Sequence, residues 1–235
     1  MLQKNGLVLL TQVKLLDKNK VLYSLLREVQ NEHLDIFTLE DFKTYKPVMT
    51  SPIVGSYREN LVFTAGPPSG GGVVLLTSLN MLSFFELSKF GSNSAKTYHL
   101  LGESLRRGHN NRSHQVGDPS KYNVPIKTLL SKNRMKELAK GLNMTKATPS
   151  SKVKPLRVVN ESRDTTHYSI VDSDGNAVSN TYTLGYSFGS GVTIPGTGIL
   201  MNNQMNNFAY RYGDSSIQGR VASPGNKFEP GKRPM

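Results

Sequence analysis

The 235-residue chain carries 29 Lys and Arg against 17 Asp and Glu, a net charge of +12, and is 37% hydrophobic and 20% charged. Such a length suits one large domain or two small ones, and the composition is globular though on the polar side. The absence of cysteine excludes disulfides, thiolate metal sites and a cysteine nucleophile, and no apolar run reaches the ~18 residues that argue a membrane span.

The positive excess makes binding to nucleic acid or another anionic surface a rival function. The cations are scattered, however, densest at Arg106, Arg107 and Arg112 and at Lys232-Arg233, without aromatic interleaving. A solvated basic surface is the plainer reading, and no nucleic-acid partner is expected. No basic, apolar and small-residue leader follows Met1, so no signal peptide is expected in the chain.

In chain order, Leu15, Leu16, Leu22, Leu25, Leu26 and Val29 give a helical stripe, and Thr38-Leu39-Glu40-Asp41 reads as a helix start before Phe42 and Tyr45. A short strand is expected over residues 61–64. Gly66-Pro67-Pro68-Ser69-Gly70-Gly71-Gly72 then opens an apolar helix over residues 73–87. A glycine-rich loop before a helix can cradle phosphate, but this one lacks a Gly-Lys-Ser/Thr ending and its prolines remove amide donors. A second helix is expected over residues 94–108, with Leu100, Leu101 and Leu105 on one side. His109 and His114 follow without a third ligand at a persuasive spacing, so no metal is expected.

Residues 128–145 carry a further helix-like run through Leu129, Leu130, Met135, Leu138 and Leu142. Residues 147–159 read as an exposed linker containing proline and serine. Asn143-Met144-Thr145 and Asn160-Glu161-Ser162 fit a glycosylation pattern that has meaning only in a eukaryotic secretory pathway. Two strand-forming runs follow, residues 168–172 and 176–184, with Asp174-Gly175 as a hairpin turn signal. A three-residue loop, Ser173-Asp174-Gly175 with Gly175 left-handed, pairs Ile170 with Val178 and sets Thr183 opposite Thr165. A two-residue loop sets Thr183 opposite Thr166 instead, on the other face. The first register is favoured because it pairs two β-branched residues. An ordinary hairpin, rich in threonine for strand propensity alone, is the bland alternative.

Taken together, Asp164-Thr165-Thr166-His167-Tyr168-Ser169, the hairpin after it, Phe188-Gly189-Ser190-Gly191, Gly198 to Met205 and Phe208 resemble the γ-glutamyltranspeptidases. Tyr45-Lys46, Pro52-Ile53-Val54-Gly55-Ser56-Tyr57-Arg58 and Pro67-Pro68-Ser69 match further motifs of that family. The resemblance implies an α+β fold, part of a four-layer αββα sandwich of the N-terminal-nucleophile hydrolase type. It implies self-cleavage between Asp164 and Thr165, so that residues 1–164 are the end of a large subunit with its pre-cleavage linker, and residues 165–235 the start of a small catalytic subunit. Thr165 is then the nucleophile, with its new α-amine as base, and Thr183 orients it. An α-amine with a free pKa of about 7.7–8.0 suits that duty. The implied donor is glutathione or another γ-glutamyl amide, the acceptor water or an amino acid or peptide. No cofactor is implied, and the compartment is periplasmic or extracellular.

Three positions implied to bind substrate need comment. Gln204 falls where the family has an acidic or amide residue facing the donor's α-amine. Gly185 stands where the family usually has asparagine, and Asn207 where it usually has aspartate. Loss of a carboxylate removes a charge-assisted hydrogen bond worth roughly 1.5–3 kcal/mol, so recognition of the amine is expected to be weakened. The resemblance covers nearly the whole chain but only the middle of the family's length. An impaired or dead remnant truncated at both ends, and a basic non-enzymatic interaction module, are the competing readings.

Overall fold

A computed structural model describes residues 38–153, 165–194, 198–209 and 223–235. The helical stripe read at Leu15 to Val29, the second glycosylation pattern and Asp164 lie outside the described residues. Contacts divide the chain into two units, one of Met1–Thr50 with Ser162–Gln204, the other of Ser51–Glu161 with Met205–Met235.

In the larger unit, β1 (Ile53–Tyr57) and β2 (Asn60–Thr64) form an antiparallel hairpin with Val54 opposite Phe63. Burial alternates along β1 and from Leu61 onward in β2, as a sheet with one covered face requires. Gly55 lies on the covered face because a Cβ there would stand 2.5 Å from the Leu76 side chain. Leu76 belongs to helix α2 (Gly71–Leu82), most of whose residues are buried. The glycines that open α2 serve close packing. A Cβ on Gly72 would lie 2.2 Å from the Ala65 carbonyl oxygen, and one on Gly70 would lie 2.6 Å from the Arg112 side chain.

Helix α3 (Ala95–Gln115) begins where the Ser94 hydroxyl accepts the Thr97 amide at 3.2 Å, a Ser N-cap. It crosses α2 at Gly108, where a Cβ would stand 2.9 Å from the Val74 carbonyl oxygen. Val73, Val116 and Leu129 form a core cluster, with Ile53, Val124, Ile126 and Met235 packed against it. Two short helices, α4 (Ile126–Leu129) and α5 (Lys132–Lys140), complete this layer. Within the C-terminal segment a parallel bridge pairs Ala209 with Lys227, and Phe208 lies edge-on to Phe228.

Three element boundaries depart from expectation. Helix α2 stops at Leu82, not near Leu87. The Ser83 hydroxyl donates to the Asn80 carbonyl at 2.7 Å, while the Phe84 amide turns to Met81, so the last turn tightens and the helix ends. Helix α3 runs on to Gln115, and Leu105 on it is exposed. Its covered face is mostly polar: Thr97, Leu100, Glu103, Ser104, Arg107, Gly108 and Asn111. The run over residues 128–145 is two helices broken at Leu130-Ser131.

The smaller unit holds α1 (Leu39–Thr44), whose Thr38 and Asp41 form a capping box. It also holds the hairpin β3 (Thr165–Val171) and β4 (Ala177–Thr183), and the short pair β5 (Thr193–Ile194) and β6 (Ile199–Leu200). No helix among the described residues is long and apolar enough to cross a membrane.

Candidate active site

The β3–β4 turn is fixed by its own polar groups. The Asp172 carboxylate accepts the Asp174 amide at 3.0 Å, the Asn176 amide at 2.8 Å and the Asn176 side chain at 2.8 Å. Those bonds, from Asn176 first, hold the Asp172 carboxyl below its usual range. Gly175 takes φ +80°, which a glycine adopts without steric cost. The three-residue loop therefore sets the register, and Ile170 pairs with Val178 and Thr165 with Thr183.

Because side chains alternate across a strand, this register sorts the hairpin into two faces. Thr165, His167 and Ser169 on β3 share one face with Thr183, Thr181 and Ser179 on β4. The His167 ring joins that ladder: its Nδ1 lies 2.6 Å from the Thr181 hydroxyl and its Nε2 3.2 Å from the Ser179 hydroxyl. The opposite face carries Tyr168, Ile170, Val178 and Tyr182, with the two tyrosine rings edge-on at 6.5 Å. A ladder of hydroxyls around an imidazole was visible in the sequence as T-x-H-x-S and S-x-T-x-T, but only the register brings the two strings together.

Thr183 is the hub of the site. Its hydroxyl oxygen accepts the Gly185 amide at 3.0 Å, and its carbonyl accepts the Gln204 side-chain amide at 3.2 Å. Gly185 has φ +94°, and a Cβ there would stand 3.1 Å from the Asn203 carbonyl carbon. The Asn203 amide donates to the Leu184 carbonyl at 2.7 Å. These bonds bring the segment that leads into Gln204 back to the end of β4. Gly189 makes a similar close approach, its Cβ position falling 2.0 Å from the Met201 carbonyl oxygen.

Thr165, Thr183, Gly185 and Gln204 are thus gathered in one unit. Asn207 closes the same 3₁₀ turn as Gln204 but belongs to the other unit, where its carbonyl accepts the Asn226 side-chain amide at 2.7 Å. Of the histidines weighed as metal ligands, His114 places Nδ1 2.8 Å from the Asn110 carbonyl oxygen. Among the described residues no three His, Cys, Asp or Glu side chains cluster to hold a metal.

The model of one protein family, Gamma-glutamyltranspeptidase, matches residues 20–235. The chain is 40% identical over 201 residues to the glutathione hydrolase proenzyme of Escherichia coli (strain K12), covering 85% of this chain and 35% of that protein. It is 36% identical over 168 residues to the acylase ACY 1 proenzyme of Pseudomonas sp. (strain SE83), covering 72% of this chain and 30% of that one. In structure it is similar to the cephalosporin acylase from Bacillus halodurans. That match has a TM-score of 0.71 and 26% identity, and covers 93% of this chain and 36% of the other. The chain spans about a third of the length of the relatives it matches.

Proposed function

This chain belongs to the γ-glutamyltranspeptidase family, and we propose that Thr165 is its self-generated N-terminal nucleophile for γ-glutamyl transfer or hydrolysis. The Thr165 hydroxyl attacks the Asp164 carbonyl, the peptide bond becomes an ester, and the α-amine is set free. Water opens the ester and returns the hydroxyl. The free amine then takes the hydroxyl proton as the oxygen attacks the γ-amide carbonyl of a donor, and passes it to the departing amine. Water or an amino acid releases the acyl group. Glutathione is the donor that the relatives' name suggests.

The observation that carries this reading is the pairing of Thr165 with Thr183, the residue whose hydroxyl and carbonyl are fixed by Gly185 and Gln204. Residues 1–164 and 165–235 are the two products in this reading, the end of the large and the start of the small subunit. The two-faced β3–β4 hairpin suits a sheet of an αββα sandwich, its tyrosine face turned to a second layer. Export to the periplasm or beyond is the compartment implied.

A second reading concerns the donor. Gly185 and Asn207 leave the amine clamp without the groups the family usually places there, and relatives named as acylases share the chain's sequence and fold. A donor with the same chain length but no α-amine, a glutaryl amide, then competes well with a γ-glutamyl one. The test is intact mass and N-terminal sequencing of the purified chain beside Thr165→Ala. Turnover of γ-glutamyl and glutaryl anilides follows. A parent chain that stays whole under conditions that keep it folded overturns the nucleophile assignment.

A further inference from the structure

The larger unit is assembled from chain on both sides of the Asp164–Thr165 bond. We infer that a latch between the buried Asp118 and Arg233 keeps residues 165–235 attached to residues 1–164 once that bond is cut. The inference rests on the cleavage reading above and adds what holds the products together.

Asp118 is fully buried. Its Oδ1 accepts the Arg233 Nη2 at 2.8 Å and the Ser120 amide at 3.0 Å, and its Oδ2 accepts the Arg233 amide at 2.7 Å and Nε at 3.2 Å. Burial alone would raise this carboxyl; the Arg233 guanidinium and amide reverse the effect and hold it well below the usual carboxylate range. The forked contact matches guanidinium to carboxylate geometry; Asp118 is buried while the Arg233 side chain is 36% exposed, so loss of the arginine leaves a buried carboxylate unpaired.

The surroundings make the contact a socket. Gly117 lies against the Gly225 backbone so closely that a Cβ on it would stand 2.3 Å from the Gly225 carbonyl carbon. Gly225 in turn meets the Tyr122 ring, 2.3 Å from where its own Cβ would be. The Met235 amide donates to the Asn226 side chain at 2.9 Å, and Met235 packs on the Val73, Val116 and Leu129 cluster. Every cross-contact named here joins chain before the cut to chain after it, or braces the segment that does. In the uncut chain these groups are tethered at high effective concentration. After the cut the same contacts must hold two molecules, so weakening them then costs association as well as stability.

The experiment uses the full chain with a specific protease site placed before Thr165 in a Thr165→Ala background, so that cutting does not depend on self-cleavage. Parent, Arg233→Met and the neutral pair Asp118→Asn with Arg233→Gln are checked for folding by circular dichroism, then cut and followed by size exclusion and native mass spectrometry. The parent fragments are expected to stay together, and both variants to lose the 165–235 fragment at least about tenfold faster. Glu137→Gln, whose carboxylate pairs with Lys140 on the exposed side of α5, is expected to behave as the parent. Should Arg233→Met not fold for want of a partner to Asp118, the neutral pair carries the test. Separation of the parent fragments, retention by folded variants equal to the parent, or failure of both variants to fold uncut would each overturn the latch. A latch that holds after proteolysis while the unaltered chain never cuts itself would condemn the cleavage reading alone.

Discussion

Thr165 stands directly opposite Thr183 in the β3–β4 ladder, and the Thr183 hydroxyl already accepts the Gly185 amide. A hydroxyl that accepts one bond keeps its O–H as a donor and a second lone pair, the capacity required of a group that orients a neighbouring oxygen. Thr165→Ala is expected to abolish cleavage before residue 165 and Thr165→Ser to retain it. Thr183→Val keeps the β-branched shape but not the hydroxyl, and is expected to slow cleavage by roughly threefold to tenfold, the worth of one hydrogen bond. Timed gels with N-terminal sequencing decide both, and equal rates for Thr183→Val and the parent would remove Thr183 from the mechanism.

The register that makes this pair was legible in the sequence because turn chemistry and a β-branched cross-strand pair pointed the same way. Helix α3 was not. Its covered face reads Thr97, Glu103, Ser104, Arg107, Gly108 and Asn111 with Leu100, so apolar periodicity had almost nothing to detect, and Leu105 was drawn to the wrong side. Glu103 is satisfied by Arg107 and by the Thr148 amide and hydroxyl, partners more than forty residues away in one case. No local pattern announces such a bond. Asp118 was missed for the same reason: beside a glycine and a proline it reads as loop punctuation, and only Arg233 explains its burial.

Asn207→Asp restores a carboxylate where the family usually has one. In the proposed clamp that carboxylate gains a charge-assisted bond to the donor's α-amine, worth roughly 1.5–3 kcal/mol. The expected result is a rise of about tenfold or more in kcat/KM for a γ-glutamyl anilide relative to a glutaryl one. Gly185→Asn is expected to help less, because φ is +94° and the Asn203 backbone stands 3.1 Å from the new Cβ. A ratio of the two anilides unmoved by Asn207→Asp would take this residue out of donor recognition.

Glu103 gives the fold an acid-sensitive contribution. Burial alone would raise its carboxyl, but bonds from Thr148 and Arg107 lower it from 4.5 to about 2. A group depressed in the folded state stabilises fully above its unfolded value and loses that contribution as pH falls through the folded one. The loss therefore runs from about pH 4.5 down to about 2, on the order of 3 kcal/mol in all. Asp118 acts in the same sense. Glu103→Gln is expected to lower the melting temperature near neutral pH and to flatten its fall between about pH 5 and 3. An unchanged slope would mean that other carboxylates carry the acid response.

Two glycines in one helix give opposite forecasts from the same substitution. Gly102 and Gly108 both lie in α3, and alanine in a helix interior gains about 1 kcal/mol over glycine by propensity. At Gly102 a Cβ meets nothing within 4 Å, so Gly102→Ala is expected to raise the melting temperature by about 2–4 °C. At Gly108 the new methyl would sit 2.9 Å from the Val74 carbonyl oxygen and 3.1 Å from the Val74 Cα. Both obstacles are backbone, which no side-chain rotation relieves, so α2 and α3 must part. Overpacking of that kind costs typically 1–3 kcal/mol, enough to cancel the propensity gain and exceed it, and it strains the Asn111 to Thr77 bond between the two helices as well. Gly108→Ala is accordingly expected to melt at least about 2 °C below the parent. Differential scanning calorimetry of the two variants side by side settles it. A Gly108→Ala chain as stable as the Gly102→Ala one would show that the α2–α3 crossing yields without cost.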